Sequence, residues 1–318
     1  MTERLFGNPI MRYLLRQLFD RFMAVVPAPI LRGFLKTMEY HPEVAMRAGY
    51  RVFPQRFDTP LVNPVEINLQ KLAEKRELPG IRIDMEKVAA LTGLLSPFQN
   101  ELDKLPGAGD PVWSSTYPTI DSAFLYCMIR HLKPKRYIEV GCGYSSRVSS
   151  MALRKNQREG HACRTTYIEP YPGWRLEGVD LFGDLLQKRI EDVPVDYFRE
   201  MEKNDVLFID TSHVIKTQND VEYELLHILP ALKPGVQIHI HDVFTPYDQP
   251  KDSVLGPGYD NYWGFRNEQY ALECLISCTN EFEVTLPLHL MQRDYPELIQ
   301  SVAPGAIDRA QAFWIAKA

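Results

Sequence analysis

A doubly wound α/β fold, Rossmann-like with a mostly parallel sheet of seven expected strands, is what this 318-residue sequence predicts. Three observations carry the prediction. From about residue 112, short apolar runs alternate with segments of helical period, the pattern of parallel strands covered by helices on both faces. The first such run, Arg136–Val140, breaks at once into Gly141-Cys142-Gly143 and a helix. The strands also end in acids (Glu139, Glu169, Asp210, Asp242), on the side where open sheets bind ligands.

The elements follow in order. Residues 1–110 read as a helical and irregular N-terminal extension, suited to a substrate lid, a dimer contact or a surface anchor. Met11, Leu14, Leu15, Leu18, Phe19, Phe22 and Val26 line one face of a helix over 9–26. A second helix is expected over 30–38 beyond Pro27 and Pro29, then an irregular stretch from Tyr50 to Pro64. Helices at 66–76 and 85–104 follow, and Pro106, Gly107, Gly109 and Pro111 mark a boundary before the domain of 111–318. In that domain Asp121 can cap a helix running to Leu132. Strands are expected at 136–140, 164–168, 185–190, 205–209, 236–240, 282–286 and 312–316. Helices are expected from about 145 to 155, over 219–229 closed by Pro230, and over 267–277.

Composition narrows the function. With 45% hydrophobic and 24% charged residues the chain is an ordinary globular one. Its formal charge of −5 speaks against nucleic acid as the partner, because phosphate binding needs a basic surface. Residues 1–60 hold nine Lys/Arg and five Asp/Glu, so the remainder sums to −9. The basic helix over 9–26 is open to a peripheral membrane contact, to docking on its own chain, or to a homodimer. Arg12, Arg16, Asp20 and Arg21 interrupt any signal-like apolar run, and no run is long enough for a membrane span. Five scattered cysteines without a CxxC pair fit a reducing cytoplasm. Cys274 and Cys278 are expected to be buried on one helix face.

The strand ends carry the chemistry. Gly-x-Gly between strand and helix lets a ligand approach the backbone and meet helix N–H groups. A dinucleotide fingerprint asks for a third glycine where this chain has Ser146. Glu139 stands just before the turn, and Glu169 ends the second strand as a bidentate acceptor for two ribose hydroxyls. The ligand is therefore expected to bear a ribose and a cationic rather than a pyrophosphate centre. Asp210, His241 and Asp242 converge at two neighbouring strand ends with His213 one turn away, and His239, inside the strand, points to the opposite face from Ile240 as a packed structural histidine.

Ile138-Glu-Val-Gly-Cys-Gly-Tyr-Ser-Ser146 resembles motif I of class I S-adenosylmethionine-dependent methyltransferases. Tyr167-Ile-Glu-Pro170, Asp205-Val-Leu-Phe-Ile-Asp-Thr-Ser-His213 and Lys233-Pro-Gly-Val-Gln-Ile-His-Ile-His-Asp242 match further blocks in order, and the last two resemble the bacterial type 24 methyltransferase domain. The resemblance implies S-adenosylmethionine bound by Glu139, Gly141, Gly143, Tyr144, Ser145, Ser146, Glu169, Asp192 near the adenine, and Asp210. It implies a methyltransferase acting on a small-molecule acceptor, with O-methylation favoured. The acceptor proton then leaves in one of two ways: to His213 or His241 as base, oriented by Asp210 or Asp242, or through a divalent metal on Asp210, His241 and Asp242. Phe244–Arg266 is the expected acceptor loop, with Tyr247, Tyr262, Trp263 and Arg266 as contacts. The rivals are an NAD(P)-dependent oxidoreductase, which the missing third glycine disfavours, and a non-catalytic S-adenosylmethionine-binding partner subunit.

Overall fold

The structure, a computed structural model, describes residues 25–47, 49–50, 52, 54, 62–63, 65–104, 117–255 and 266–318. By contact the chain divides into Met1–Asn63 and Pro64–Ala318. In the first unit α1 (Ala28–Tyr40) starts behind Pro27, and α2 (Pro42–Arg47) buries Ala45. The helix expected over 9–26 lies outside the described residues except for its last two positions, as does most of the Tyr50–Pro64 stretch.

The second unit begins well before the expected boundary at 110. After α3 (Leu69–Ala73), α4 (Met85–Leu95) places Val88 and Leu95 in the same core as α5 (Thr119–Leu132), so this part of the expected extension belongs to the sheet domain. The helix read over 85–104 stops at Leu95 and continues as a 3₁₀ segment, Ser96–Lys104. Pro97 accounts for the change: it has no N–H to continue the ladder to the Gly93 carbonyl, which accepts instead from Ser96 Oγ at 3.1 Å.

Seven strands form one sheet: β1 (Arg136–Val140), β2 (Arg164–Ile168), β3 (Asp184–Leu186), β4 (Val206–Ile209), β5 (Gln237–Ile240), β6 (Phe282–Pro287) and β7 (Phe313–Lys317). Their order is β3-β2-β1-β4-β5-β7-β6, with β7 antiparallel to both neighbours and the first five parallel. Alternate residues feed two cores. Ile138, Val140, Leu207, Ile209, Ile238 and Ile240 face one layer of helices, and Tyr137, Phe208 and Trp314 face the other. His239 lies on that second face as expected, stacked on Phe208 at 4.2 Å and edge-on to Trp314 at 4.8 Å. Burial holds its pKa well below the usual value, so the ring is a neutral packing element.

The chain runs from β1 outward through β2 to β3, then returns across β1 to β4. The crevice outside the carboxyl ends of β1 and β4 is therefore the topological switch point. Helix α6 (Tyr144–Arg158) covers β1, and after the short α7 (Asp196–Arg199) comes α8 (Asp220–Tyr223). The expected stop at Pro230 does not occur. The helix widens into a π turn, Glu224–Ile228, and continues as α9 (Leu229–Ala231), which accommodates a proline without a backbone donor. The remaining helices are α10 (Lys251–Leu255), α11 (Glu268–Ser277), α12 (Leu288–Asp294) and α13 (Pro296–Val302). Cys274 and Cys278 are exposed rather than buried, because α11 packs through Leu272 and Ile276.

One buried group sets an acid limit on this packing. His289 on α12 hydrogen-bonds through Nδ1 to the Ala310 carbonyl at 3.1 Å, with Phe244 and Tyr247 edge-on to its ring. Burial pushes its pKa down to about 4, so the folded protein keeps it neutral where the unfolded chain takes up a proton. Its contribution to stability is complete above about pH 6.5 and is lost as pH falls toward 4. Urea midpoints should fall over that window, and His289→Gln should remove part of the fall. An equal fall in the variant would assign it to other groups.

Candidate active site

A cavity of about 650 Å³ opens at the switch point. The β1 exit forms its floor. Gly141 has φ +81°, and a Cβ there would lie 1.8 Å from the Asp210 carbonyl oxygen, so the exits of β1 and β4 meet backbone to backbone. The Asp210 N–H continues the ladder to the Val140 carbonyl, and the His241 N–H continues it to Ile209. Gly141, Cys142, Gly143, Tyr144 and Ser145 line the cavity. The Gly143 N–H donates to Ser146 Oγ, turning the first turn of α6 toward the ligand space.

Glu139 is placed behind the glycine turn rather than at the cavity wall. Its carboxylate lies fully buried outside the cavity lining, behind the first turn of α6. Oε1 accepts from Ser145 (2.8 Å) and Ser146 (2.6 Å), and Oε2 from Tyr137 (2.7 Å) and Ser149 (2.9 Å). Burial raises its pKa against these four donors. Glu139 and Ser146 thus hold the glycine turn in place from behind.

Glu169 does line the cavity. Its Oε2 accepts from the Cys142 N–H and its Oε1 from the Tyr171 N–H, fixing a partly exposed carboxylate beside the glycine turn. On the β3 side the wall is Arg189, Ile190 and Glu191, not Asp192. The 3₁₀ turn Ile190–Asp192 buries Ile190 and turns Asp192 outward, so the acid at this wall comes one position earlier than expected.

The four strand-end residues do come together. His213 Nε2 lies 3.1 Å from Asp210 Oδ1 and 3.3 Å from Asp242 Oδ2, while its Nδ1 donates to Glu268 Oε2 at 2.8 Å. His241 Nε2 faces Asp121 Oδ2 at 3.3 Å. Its Nδ1 is buried without a hydrogen-bond partner, 3.7 Å from both Asp210 Oδ1 and Asp242 Oδ2. Arg266 pairs with Asp242. Burial alone would lower the pKa of His213, but hydrogen bonds to Asp210 and Glu268 and the charge of Asp242 push it up to about 10. His241 is raised in the same way, chiefly by Asp210 and Asp242 against burial. Both carboxylates are held below their ordinary range because His241 and His213 outweigh burial.

Sequence reasoning missed Asp121 and Glu268 as site residues. Asp121 does not cap α5; the Thr119 and Ile120 N–H groups go to Asp308 instead. Asp121 lies inside the first turn, fully buried, accepting from the Gln311 and Ala312 N–H groups as well as facing His241. An acid among the apolar residues of a buried helix was the available signal. Tyr117, whose ring centroid is 5.1 Å from that of His241, and Gln311 complete this wall. Of the expected acceptor contacts, Arg266 lines the cavity, and Tyr262 and Trp263 lie outside the described residues. Tyr247 is turned away, its hydroxyl donating to Asp294 at 2.6 Å and its backbone held by Arg76 and Gln269.

Residues 138–243, about a third of the chain, match the family model of the methyltransferase domain described as Methyltransf_24. That segment is thus similar to a methyltransferase domain. A protein of Archaeoglobus fulgidus described as uncharacterised is 27% identical over 94 residues, which are 29% of this chain and 42% of that one; the chain thus matches less than half the length of this relative. Among solved structures, an O-methyltransferase from Bacillus cereus in complex with SAH is 16% identical, with a TM-score of 0.35, over 74% of this chain and 92% of that one. The TDP-rhamnose 3'-O-methyltransferase of calicheamicin biosynthesis is 14% identical, with a TM-score of 0.40, over 76% and 99%. Among the described residues, no helix is long and apolar enough to cross a membrane.

Proposed function

We propose that the protein transfers the methyl group of S-adenosylmethionine to a hydroxyl of a small-molecule acceptor. One observation carries this reading: the glycine turn with Glu169 and the Asp210, His213, His241 and Asp242 cluster line a single cavity. Donor and acceptor can therefore meet in line, which is most of what the reaction asks of a protein. The donor fits the site through the turn at Gly141, where a bare backbone is required, and through the open carboxylate of Glu169 for the ribose hydroxyls. Its sulfonium already activates the methyl group. Asp210 stands between the two halves, and Tyr117, Arg266 and Gln311 wall the acceptor side.

The acceptor proton must leave at the cluster. The orphaned Nδ1 of buried His241, facing one oxygen each of Asp210 and Asp242, fits a divalent cation held by these three residues. Such a cation would lower the pKa of an acceptor hydroxyl. The five free cysteines support residence in a reducing compartment.

Calorimetry tests the donor. S-adenosylmethionine should bind and NADH should not, and Glu169→Ala should weaken the former roughly 10- to 100-fold by removing charge-assisted hydrogen bonds. Binding of NADH alone would overturn the reading. A panel of hydroxyl acceptors scored for S-adenosylhomocysteine release then tests the transfer.

A further inference from the structure

We propose that the helix α1 (Ala28–Tyr40) is a docking surface for an anionic phospholipid membrane, laid flat on it through Ile30, Phe34 and Leu35. The inference goes beyond the function proposed above and does not rest on it.

The sequence of α1 is two-faced. Ile30, Leu31, Phe34, Leu35 and Met38 recur at spacings of three and four, which places them on one stripe of the helix. Arg32, Lys36 and Glu39 fall on the other side. A helix of a globular domain turns such a stripe inward. In α1 no residue is buried. Ile30 is 64% and Phe34 59% exposed, Leu35 is exposed beside them, and Leu31 and Met38 are only half-buried. The same unit also exposes Val44 and Met46 on α2 and the rings of Tyr40 and Tyr50. Single exposed apolar side chains are ordinary, whereas neighbours on one helix face mark an interaction surface.

Charge selects the occupant. Residues 1–60 hold nine Lys/Arg against five Asp/Glu, a net +4. A second copy would bring the same charge to the contact, so like charges oppose a dimer through this face. The sheet domain has the opposite sign but no matching apolar patch. Among its described residues the exposed large apolar side chains are scattered, as with Leu94 on α4, Leu226 in the π turn and Ile307 beyond α13. An anionic bilayer meets both needs. Its acyl boundary takes the apolar stripe, and its headgroups attract the basic side chains on the outer face of a helix lying in the plane. A helix about 10 Å wide keeps Arg32 and Lys36 within roughly one screening length of those headgroups. Tyrosine rings, apolar in body and polar at the tip, suit the same depth.

Flotation of the full chain with phosphatidylcholine vesicles, with and without roughly 30% phosphatidylserine, tests this. Partition onto the anionic vesicles should be at least about tenfold stronger, and should fall about tenfold or more between roughly 0.1 and 0.5 M salt. Ile30→Ser with Phe34→Ser should lose at least about tenfold by removing buried apolar area. Arg32→Gln with Lys36→Gln should lose roughly tenfold or more, about fivefold for each charge. Both double variants should keep the parent's melting temperature, because α1 buries none of the four side chains. The emission of a Phe34→Trp protein should move to the blue on anionic vesicles and stay in place on neutral ones. Equal partition onto both vesicles, indifference to either double variant, or an unshifted emission overturns the proposal. A concentration-dependent dimer formed without vesicles, and lost in the Ile30→Ser, Phe34→Ser variant, overturns it in favour of a second copy. Blue emission from the monomeric Phe34→Trp protein before any lipid is added overturns it in favour of a cover from the chain itself.

Discussion

Gly141→Ala is expected to abolish measurable S-adenosylmethionine binding and to lower the stability of the fold by roughly 3–5 kcal/mol, the range of the severe single-residue effects. Two costs coincide. An alanine at φ +81° takes up a left-handed conformation, worth about 1–2 kcal/mol. Its Cβ would also stand 1.8 Å from the Asp210 carbonyl oxygen and 2.7 Å from the carbonyl carbon. Both partners in that collision are backbone, so relief requires the exits of β1 and β4 to part, which displaces Glu169's neighbour Cys142 and Asp210 together. Gly143 supplies the contrast. Its φ is extended, and a Cβ there meets only Arg175 Cδ at 3.8 Å. Gly143→Ala should therefore melt within a few degrees of the parent while still losing donor affinity, because the methyl group projects from a residue that lines the cavity. Melting curves and calorimetry on the pair separate fold from ligand space. A Gly141→Ala protein with the parent's melt and affinity would remove the close crossing of β1 and β4 from the account.

The parts of this site that could be read along the chain are those set by near neighbours in sequence. A strand such as Asp205–Ile209 announces itself as a β-branched and aromatic run, and the acid after it follows from its position. His239 could be assigned to the face opposite Ile240 from strand alternation alone, and so to the same face as His241, whose ring centroid lies 6.0 Å away. Asp121 and Glu268 could not, because their roles are defined by partners 120 and 55 positions away. On a helix, Asp121 offers the local signal of a cap, and only the meeting of α5 with the distant Gln311 and Ala312 N–H groups and with His241 gives it another role. Glu191 and Asp192 show a second kind of limit. Which of two adjacent acids faces the ligand depends on a single 3₁₀ turn, and a shift of one residue in such a turn exchanges them. Short helices bounded by prolines, such as α12 and α13, escape notice because neither spans enough turns to show a period. Tyr247 was a reasonable contact by composition, yet Asp294, Arg76 and Gln269 compete for it, and all three come from other segments.

Asp242→Asn should lower kcat by about 10³-fold, the size of effect seen when one preorganised charge or proton acceptor is lost, while leaving S-adenosylmethionine affinity within threefold. Asp242 Oδ2 faces three nitrogen groups: the Arg266 guanidinium, His213 Nε2 at 3.3 Å and His241 Nδ1 at 3.7 Å. Asp210 is the other carboxylate that faces both histidines. An amide of the same shape removes half of the negative charge at that point. One of its two terminal atoms also becomes a donor among donors, so it cannot satisfy all three partners. The acceptor proton then has no well-placed destination, whether it leaves through a bound cation or to a carboxylate. A stability loss of about 1–3 kcal/mol should accompany the change, since Arg266 keeps a partly buried charge with a weakened partner. The donor half of the cavity, built from Gly141, Gly143 and Glu169, makes no use of Asp242, which is why affinity there should hold. A tenfold or smaller fall in kcat, with the stability loss as expected, would make Asp242 an anchor for Arg266 and move the proton to Asp210.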